Sequence, residues 1–438
     1  MAKIDEVNRK LAQLVSIESV STDSKRRKQM DKAVEYIKGE MESIGMVVEE
    51  FNSNNCPSLV IGKKIMSESA ETIGIYAHYD VQPEDPVDKW TSPPFNLTKR
   101  GNKLYGRGVA DDKMHLIQSV IAVKNLIAKK MLKNNIVFIF EGEEETGSDH
   151  FEELVKKAGD DLRKIDVFYI LDMGMKAVNV PQIFYGLRGI AGFELKIKTG
   201  ESDLHSGVYG NRVLNPAQVA ADLFSKMKDS KGKILIPGFY DKVKKFTEDE
   251  IAVLSKFVPN EENERETAKV NQMVGGFLES KIKPSLDING VASGYAGQGF
   301  KTIIPCEATI KFSIRLVEYQ NGPEIIKLVE KFVAGNLPEG VDHEFIVKEA
   351  ADPFYTDYTN PYAIKTAKIL EEVFGGECFF NRSGGSIAAA EILQKLYKKP
   401  IILTGFTLPD ENIHAPDENV DLNMFEKGIV ALERIFSS

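Results

Sequence analysis

An α/β fold is predicted, a mostly parallel sheet whose chain is interrupted by an inserted α+β domain, and three observations carry the prediction. Between Thr72 and Asp172, apolar runs alternate with helical periodicity as strand, helix, strand, helix, strand. That order belongs to a parallel sheet covered on both faces. After Tyr185-Gly186-Leu187-Arg188-Gly189 the pattern becomes β-α-β-β-α-β with alternating, half-exposed strands, the order of a ferredoxin-like domain. After Asp352 the first style resumes. The expected division is residues 1–186 and 351–438 for the α/β domain and 187–350 for the insert.

The elements follow in order. Ile4, Val7, Leu11, Leu14 and Val15 fall on one face of an N-terminal helix. Residues 72–81 (TIGIYAHYDV), 135–141 (NIVFIFE) and 166–172 (DVFYILD) read as buried strands. Between them, residues 112–131 repeat Leu116, Val120, Val123 and Ile127 at helical spacing, and 150–158 is a second helix. In the insert, 192–199 alternates as a strand, 215–228 is helical, and 229–283 is polar, helix-rich and unassigned. Residues 301–317 read as two paired strands, 323–334 as a helix and 343–348 as a strand. The last part has helices over 361–374 and 386–396 and a strand over 400–404.

Composition narrows the function. With 42% apolar and 28% charged residues the chain can bury a core. Its 56 Lys+Arg against 65 Asp+Glu leave a net charge of −9, so it lacks bulk attraction for nucleic acid or anionic membranes. No run is long and apolar enough to span a bilayer. The N-terminus has no apolar core of a signal peptide. Cys56, Cys306 and Cys378 are too far apart for a disulfide framework or a cysteine-based zinc site and read as reduced thiols. A cytoplasmic location is expected.

Chemistry-bearing residues collect at strand ends, where ligands of such sheets sit. His78 and Asp80 share a face at the end of the first strand, as a metal ligand and its orienting carboxylate or as an ordinary polar strand end. The second strand runs into Glu141, Glu143, Glu144 and Glu145, costly at a buried terminus without a positive partner, or else a helix-start acidic cluster. Asp172 ends the third. In Tyr105-Gly106-Arg107-Gly108-Val109-Ala110-Asp111-Asp112, one aspartate caps the following helix. His414 follows the last strand in a polar loop. Together, two histidines and several carboxylates on one sheet edge suit a divalent metal pair. One carboxylate must then stay unligated to move a proton, and adjacent Glu144 and Glu145 divide those duties.

Taken in order, HYDVQP, YGRGVADDK, EGEEETGS, ILDMG, LHSGVYG, KFSIRLVE, RSGGSI and IHAP resemble the motifs of the M20 metallopeptidase family, and most closely its cytosolic carnosinase-like dipeptidase branch. The matches run from His78 to His414. The resemblance implies that His78, Asp111 and Asp172 hold one metal ion and Asp111, Glu145 and His414 the other, with Asp111 bridging and the Asp111–Asp112 peptide cis. Glu144 resembles the general base, and Asp80 the carboxylate orienting His78. His205 resembles a lid histidine that stabilises the oxyanion and, in this branch, reaches the neighbouring subunit's site. Arg315, with Gly385 and Ser386, resembles the clamp on the substrate's terminal carboxylate, a task a bidentate guanidinium fits.

The expected activity is therefore di-metal hydrolysis of short peptides, most closely dipeptides. Zinc is the expected ion, and the mixed His and carboxylate ligands also admit manganese or cobalt. A homodimer through the insert is implied, with no nucleic acid or membrane partner. The same parts would serve an N-acyl amino acid deacylase or a carboxypeptidase, and a non-catalytic peptide binder is the reading from another class. Two departures stand out. Relatives often carry Gly-Pro or Gly-Gly after Asp-Asp-Lys, where this chain has Met114-His115, and no histidine precedes Asn360-Pro361-Tyr362. Asp112 is expected only as a helix cap, and His115, His150 and His343 as surface residues.

Overall fold

The computed structural model describes residues 4–53, 56–259 and 261–438. They form two compact units: Met1–Tyr185 with Thr356–Asn381 and Ile387–Ser438, and Gly186–Tyr355 with Arg382–Ser386. The boundaries thus fall at 186 and 355 rather than 187 and 350. The return of Arg382–Ser386 to the second unit had no signal in the sequence.

In the first unit, the strands Asn135–Glu141, Thr72–His78, Val167–Ile170 and Ile401–Leu403 lie side by side in parallel. Every residue of Thr72–His78 and Asn135–Glu141 is buried, so both faces are covered and the runs are continuously apolar. Leu59–Lys64 and Val47–Phe51 extend the sheet antiparallel beyond Asn135–Glu141. Val7, Leu11, Leu14 and Val15 of helix Ile4–Val15 pack into the core with Leu116, Val120 and Val123 of helix Lys113–Ala128. The Ile4 side chain lies outside the described residues. Helix Leu422–Ser437 adds Phe425, Leu432 and Phe436 to the same core. Among the described residues, no helix is long and apolar enough to cross a membrane.

The parallel order puts the C-terminal ends of Thr72–His78, Asn135–Glu141 and Val167–Ile170 at one edge. His78 is the last residue of its strand, Glu144 and Glu145 follow the second, and Asp172 the third. Sheet direction alone therefore gathers these side chains.

The second unit has an antiparallel sheet in the order Ser285–Ser293, Glu307–Leu316, Gly189–Lys198, Asp342–Ala351. Helices Pro216–Met227 and Gly322–Asn336 share its core, where Phe193 stacks on Phe312 at 4.8 Å and Phe224 meets Phe312 edge-on at 5.2 Å. In chain order these elements are β-α-β-β-α-β. The pairing expected within 301–317 is not formed. Glu307–Leu316 is one strand partnered by Ser285–Ser293, while Ile303–Ile304 pairs with Leu204–His205. Ser285–Ser293 hides in the sequence because it has an irregular register between Ile288 and Gly290 and exposes Ile288 and Val291. It therefore lacks the alternation that marks a strand.

Candidate metal centre

His78 is fully buried. Its Nε2 lies 2.9 Å from Asp111 Oδ1 and 3.8 Å from Asp172 Oδ1. On the other side of the ring, Nδ1 is 3.4 Å from Asp80 Oδ1 and 3.1 Å from the Asp80 carbonyl oxygen. Asp80 is itself buried, and its carboxylate accepts from the backbone N–H groups of Glu144 at 3.3 Å and Glu145 at 3.1 Å. One carboxylate thus orients the histidine and fixes the turn that presents both glutamates.

Asp111 is shared. Its Oδ1 faces His78, and its Oδ2 lies 2.8 Å from His414 Nε2. His414 Nε2 is also 3.3 Å from Glu145 Oε2. Two groups result, His78–Asp111–Asp172 and Asp111–Glu145–His414, with the donor atoms of each within 4.8 Å of one another. The Asp111–Asp112 peptide is cis.

The acidic run divides cleanly. Glu141 accepts from the Tyr76 hydroxyl at 2.5 Å. Glu143 accepts from the His150 backbone N–H at 3.0 Å and lies 2.9 Å from its ring Nδ1. His150 is therefore half-buried and held against Glu143, not a free surface residue. Only Glu144 and Glu145 remain for the site. Burial, then the charges of Asp172 and Asp111, raise Glu144 well above the usual carboxylate range.

These residues fit a pair of divalent cations. Glu145 Oε1 is buried with no hydrogen-bond partner among the described residues, although Oε2 accepts from Gln82 at 2.7 Å. Burial pushes Asp172 up to about 7, with the Asp111 charge adding to it. Hydrogen bonds to Asp111 and Glu145 lift His414 to about 10. Asp172, which resists ionisation beside His78, together with Asp111 and Glu145 beside His414, forms an oxygen-and-nitrogen donor set that a divalent ion satisfies.

Residues without a role in the sequence reading hold this arrangement together. Glu418 is fully buried and accepts from Arg107 Nη1 and the Gly108 N–H with one oxygen, each at 2.8 Å. Its other oxygen takes the N–H groups of Ala110 at 2.8 Å and Asp111 at 3.1 Å. Gly108 adopts φ +78° in this turn, and a Cβ there would fall 2.3 Å from Val81. Asp112 makes no capping bond, contrary to expectation. It is buried, accepting from the His78 backbone N–H at 3.1 Å and pairing with His115 Nδ1 at 2.5 Å. His115 is buried too, not a surface residue, and its Nε2 accepts from the Phe406 N–H at 2.9 Å. His115 thus ties the helix start to the segment that follows strand Ile401–Leu403 and leads to the His414 loop. His343 is exposed.

His205, Arg315, Gly385 and Ser386 lie in the second unit. His205 is exposed, and its Nδ1 accepts from the Gly207 N–H at 3.0 Å. Arg315 is half-buried and stands opposite Ser285 in the sheet. The Gly385 N–H donates to Ser383 Oγ at 3.1 Å, and Ser386 is half-buried.

The model of "Peptidase family M20/M25/M40" matches residues 74–438. The Cys-Gly metallodipeptidase dug1 of Schizosaccharomyces pombe is 29% identical over 98% of this chain and 94% of its own. The human Beta-Ala-His dipeptidase is 31% identical over 83% of this chain and 74% of its own. Among solved structures, the M20 family metallo-carboxypeptidase Sso-CP2 from Sulfolobus solfataricus aligns with a TM-score of 0.89 at 27% identity, covering 99% of both chains.

Proposed function

Because the chain belongs to peptidase family M20/M25/M40, we propose that it is a dipeptidase in which His78, Asp111 and Asp172 hold one divalent ion and Asp111, Glu145 and His414 a second. The observation that carries this reading is Asp111, with one carboxylate oxygen on each histidine. Divalent ions held there would supply Lewis acidity toward the scissile carbonyl and toward the attacking water. Zinc is the ion we expect, with manganese or cobalt admitted by the same donors.

Glu144 takes the proton from the attacking water and returns it to the leaving amine. Asp80 keeps His78 in place through Nδ1, and its bonds to the Glu144 and Glu145 N–H groups keep the base and its neighbouring ligand apart. His205 accepts at Nδ1 from Gly207, so its proton sits on Nε2, free to donate to the tetrahedral oxyanion. Arg315, Gly385 and Ser386 hold the substrate's terminal carboxylate. We place the protein in the cytoplasm, a reading supported by three free cysteines, and as a homodimer through the second unit.

The TM-score of 0.89 to a metallo-carboxypeptidase favours a second reading, removal of C-terminal residues from longer peptides. One panel separates the readings: Cys-Gly, β-Ala-His and other dipeptides, their tripeptide extensions, and N-acetyl and N-succinyl amino acids, each after chelation and metal restoration. Metal-dependent cleavage confined to dipeptides is expected. Preference for tripeptides favours the carboxypeptidase, and turnover of acylated amino acids alone would overturn both.

A further inference from the structure

Within the second unit, a buried Arg382–Glu318 pair neighbours a further group of cations, Arg188, Lys281 and Arg315. Arg382 is paired with Glu318, the side chains being 1% and 0% exposed. Gly186 borders that pair, where a Cβ would fall 2.9 Å from Glu318 Oε1 and 3.2 Å from Arg382 Cζ. Two residues on, Arg188 is 8% exposed and donates from Nη2 to the Lys283 carbonyl oxygen and to Ser285 Oγ, each at 3.0 Å. Its Nε is buried with no hydrogen-bond partner among the described residues.

Ser285 stands directly opposite Arg315 in the sheet, so Arg188 reaches the backbone and side chains beside the clamp residue. Lys281, two residues before Lys283, lays its ammonium 4.8 Å from the centre of the Phe277 ring. Among the described residues, no carboxylate forms an ion pair with Arg188, Lys281 or Arg315. Asp287 is nearby, but it pairs with Lys228. The cations act on one another: burial, then Arg315, brings Arg188 down to about 10, and burial, then Arg188, lowers Lys281.

Three cations beyond the Arg382–Glu318 pair are more than a peptide's terminal carboxylate requires, since one guanidinium binds a carboxylate through two parallel bonds. Charges withdrawn from water are costly unless an opposite charge meets them. We propose that this cradle is a subsite for a second carboxylate, so that the enzyme prefers peptides whose C-terminal residue is aspartate or glutamate. The terminal carboxylate binds Arg315, and the side-chain carboxylate binds Lys281 above the positive field of buried Arg188. The proposal rests on the reading of Arg315 as the terminal-carboxylate clamp.

The test compares kcat/KM for Gly-Glu and Gly-Asp with the isosteric neutral pair Gly-Gln and Gly-Asn, at saturating metal. An acidic preference of about tenfold or more is expected, weakening as salt rises. Lys281→Gln should bring the ratio toward one, and Lys281→Arg should retain it. Calorimetric titration of L-glutamate against L-glutamine reads the same preference without turnover, so an inactive preparation still decides the matter. If glutamate binds no tighter than glutamine, or neutral dipeptides are cleaved as well as acidic ones, the subsite is overturned while the dipeptidase reading stands. If glutamate binds selectively and no peptide is cleaved, the subsite stands and the dipeptidase reading falls.

Discussion

The Asp111 backbone N–H donates to Glu418 Oε1 at 3.1 Å across 307 residues of chain. Glu418 lies four residues past His414, so one carboxylate joins the loop carrying His414 to the turn carrying Asp111, the residue common to both side-chain groups. All its acceptor capacity faces donors: Arg107, Gly108, Ala110 and Asp111.

Glu418→Gln should therefore loosen both metal groups without touching either. The amide NH2 would face two N–H donors and leave Arg107 buried without its countercharge. Breaking such a pair costs about 3–5 kcal/mol. Disturbed support for ligands typically weakens metal binding by about 10–100-fold. Urea unfolding and a chelator-competition titration measure the two effects. Unchanged metal affinity in a destabilised variant would confine Glu418 to a purely structural role.

Glu144 and Glu145 are neighbours with separable duties. Glu144→Gln should keep metal content near normal and lower kcat by about 10² or more, since only proton transfer is lost. Glu145→Gln should instead lower metal occupancy, because Glu145 belongs to the group with Asp111 and His414. Metal analysis beside single-turnover kinetics distinguishes them. Metals lost from the first variant and kept in the second would reverse the assignment.

Why some of this was legible in the sequence and some was not follows from distance along the chain. The central strands announce themselves because burial on both faces forces a continuous apolar run, as in Asn135–Glu141. Helix Pro361–Phe374 is readable to the residue, with Asn360 capping the Tyr362 N–H, Pro361 first, and Gly375 at φ +86° closing it. The residues we propose as metal ligands stand out as motifs because each sits at a strand end or turn. Their supports are not. Asp112 meets His78 across 34 residues, and His115 meets Phe406 across 291. A local reading sees only a helix start, and so mistakes Asp112 for a cap and His115 for a surface residue.

Stability should fall as pH rises, in part through Glu411. This side chain is 1% exposed, and its two oxygens accept from the Leu408 and Asp421 N–H groups at 2.8 Å each. Burial pushes it up to about 8 from an ordinary 4.5 despite those bonds. With the folded value raised, the folded chain holds the proton more tightly than the unfolded one. The stability this confers is fully present below about 4.5 and is lost as pH rises through about 8, at about 1.4 kcal/mol per unit. Urea midpoints at saturating metal should drop between about pH 5 and pH 8.5. Glu411→Gln should flatten that slope. An undiminished slope in the variant would transfer the effect to other buried carboxyls such as Glu141.

His205 provides the last test, of whether it serves a neighbouring subunit. It is exposed on the second unit, and no carboxylate pairs with its ring among the described residues. Its Nε2 proton is therefore available to a partner. Removing one oxyanion donor costs about 3 kcal/mol of barrier, so His205→Ala should lose about 10²-fold in kcat with metals and fold retained. Glu144→Gln is inactive for a different reason. If His205 acts across a dimer, mixing the two variants creates heterodimers in which one site has both a wild-type Glu144 and a wild-type His205. Activity should then return in part as subunits exchange, to a level set by the heterodimer fraction. Exchange can be followed independently by native mass spectrometry of differently tagged chains. Confirmed exchange with no recovered activity would place His205 in its own subunit's site or outside the reaction.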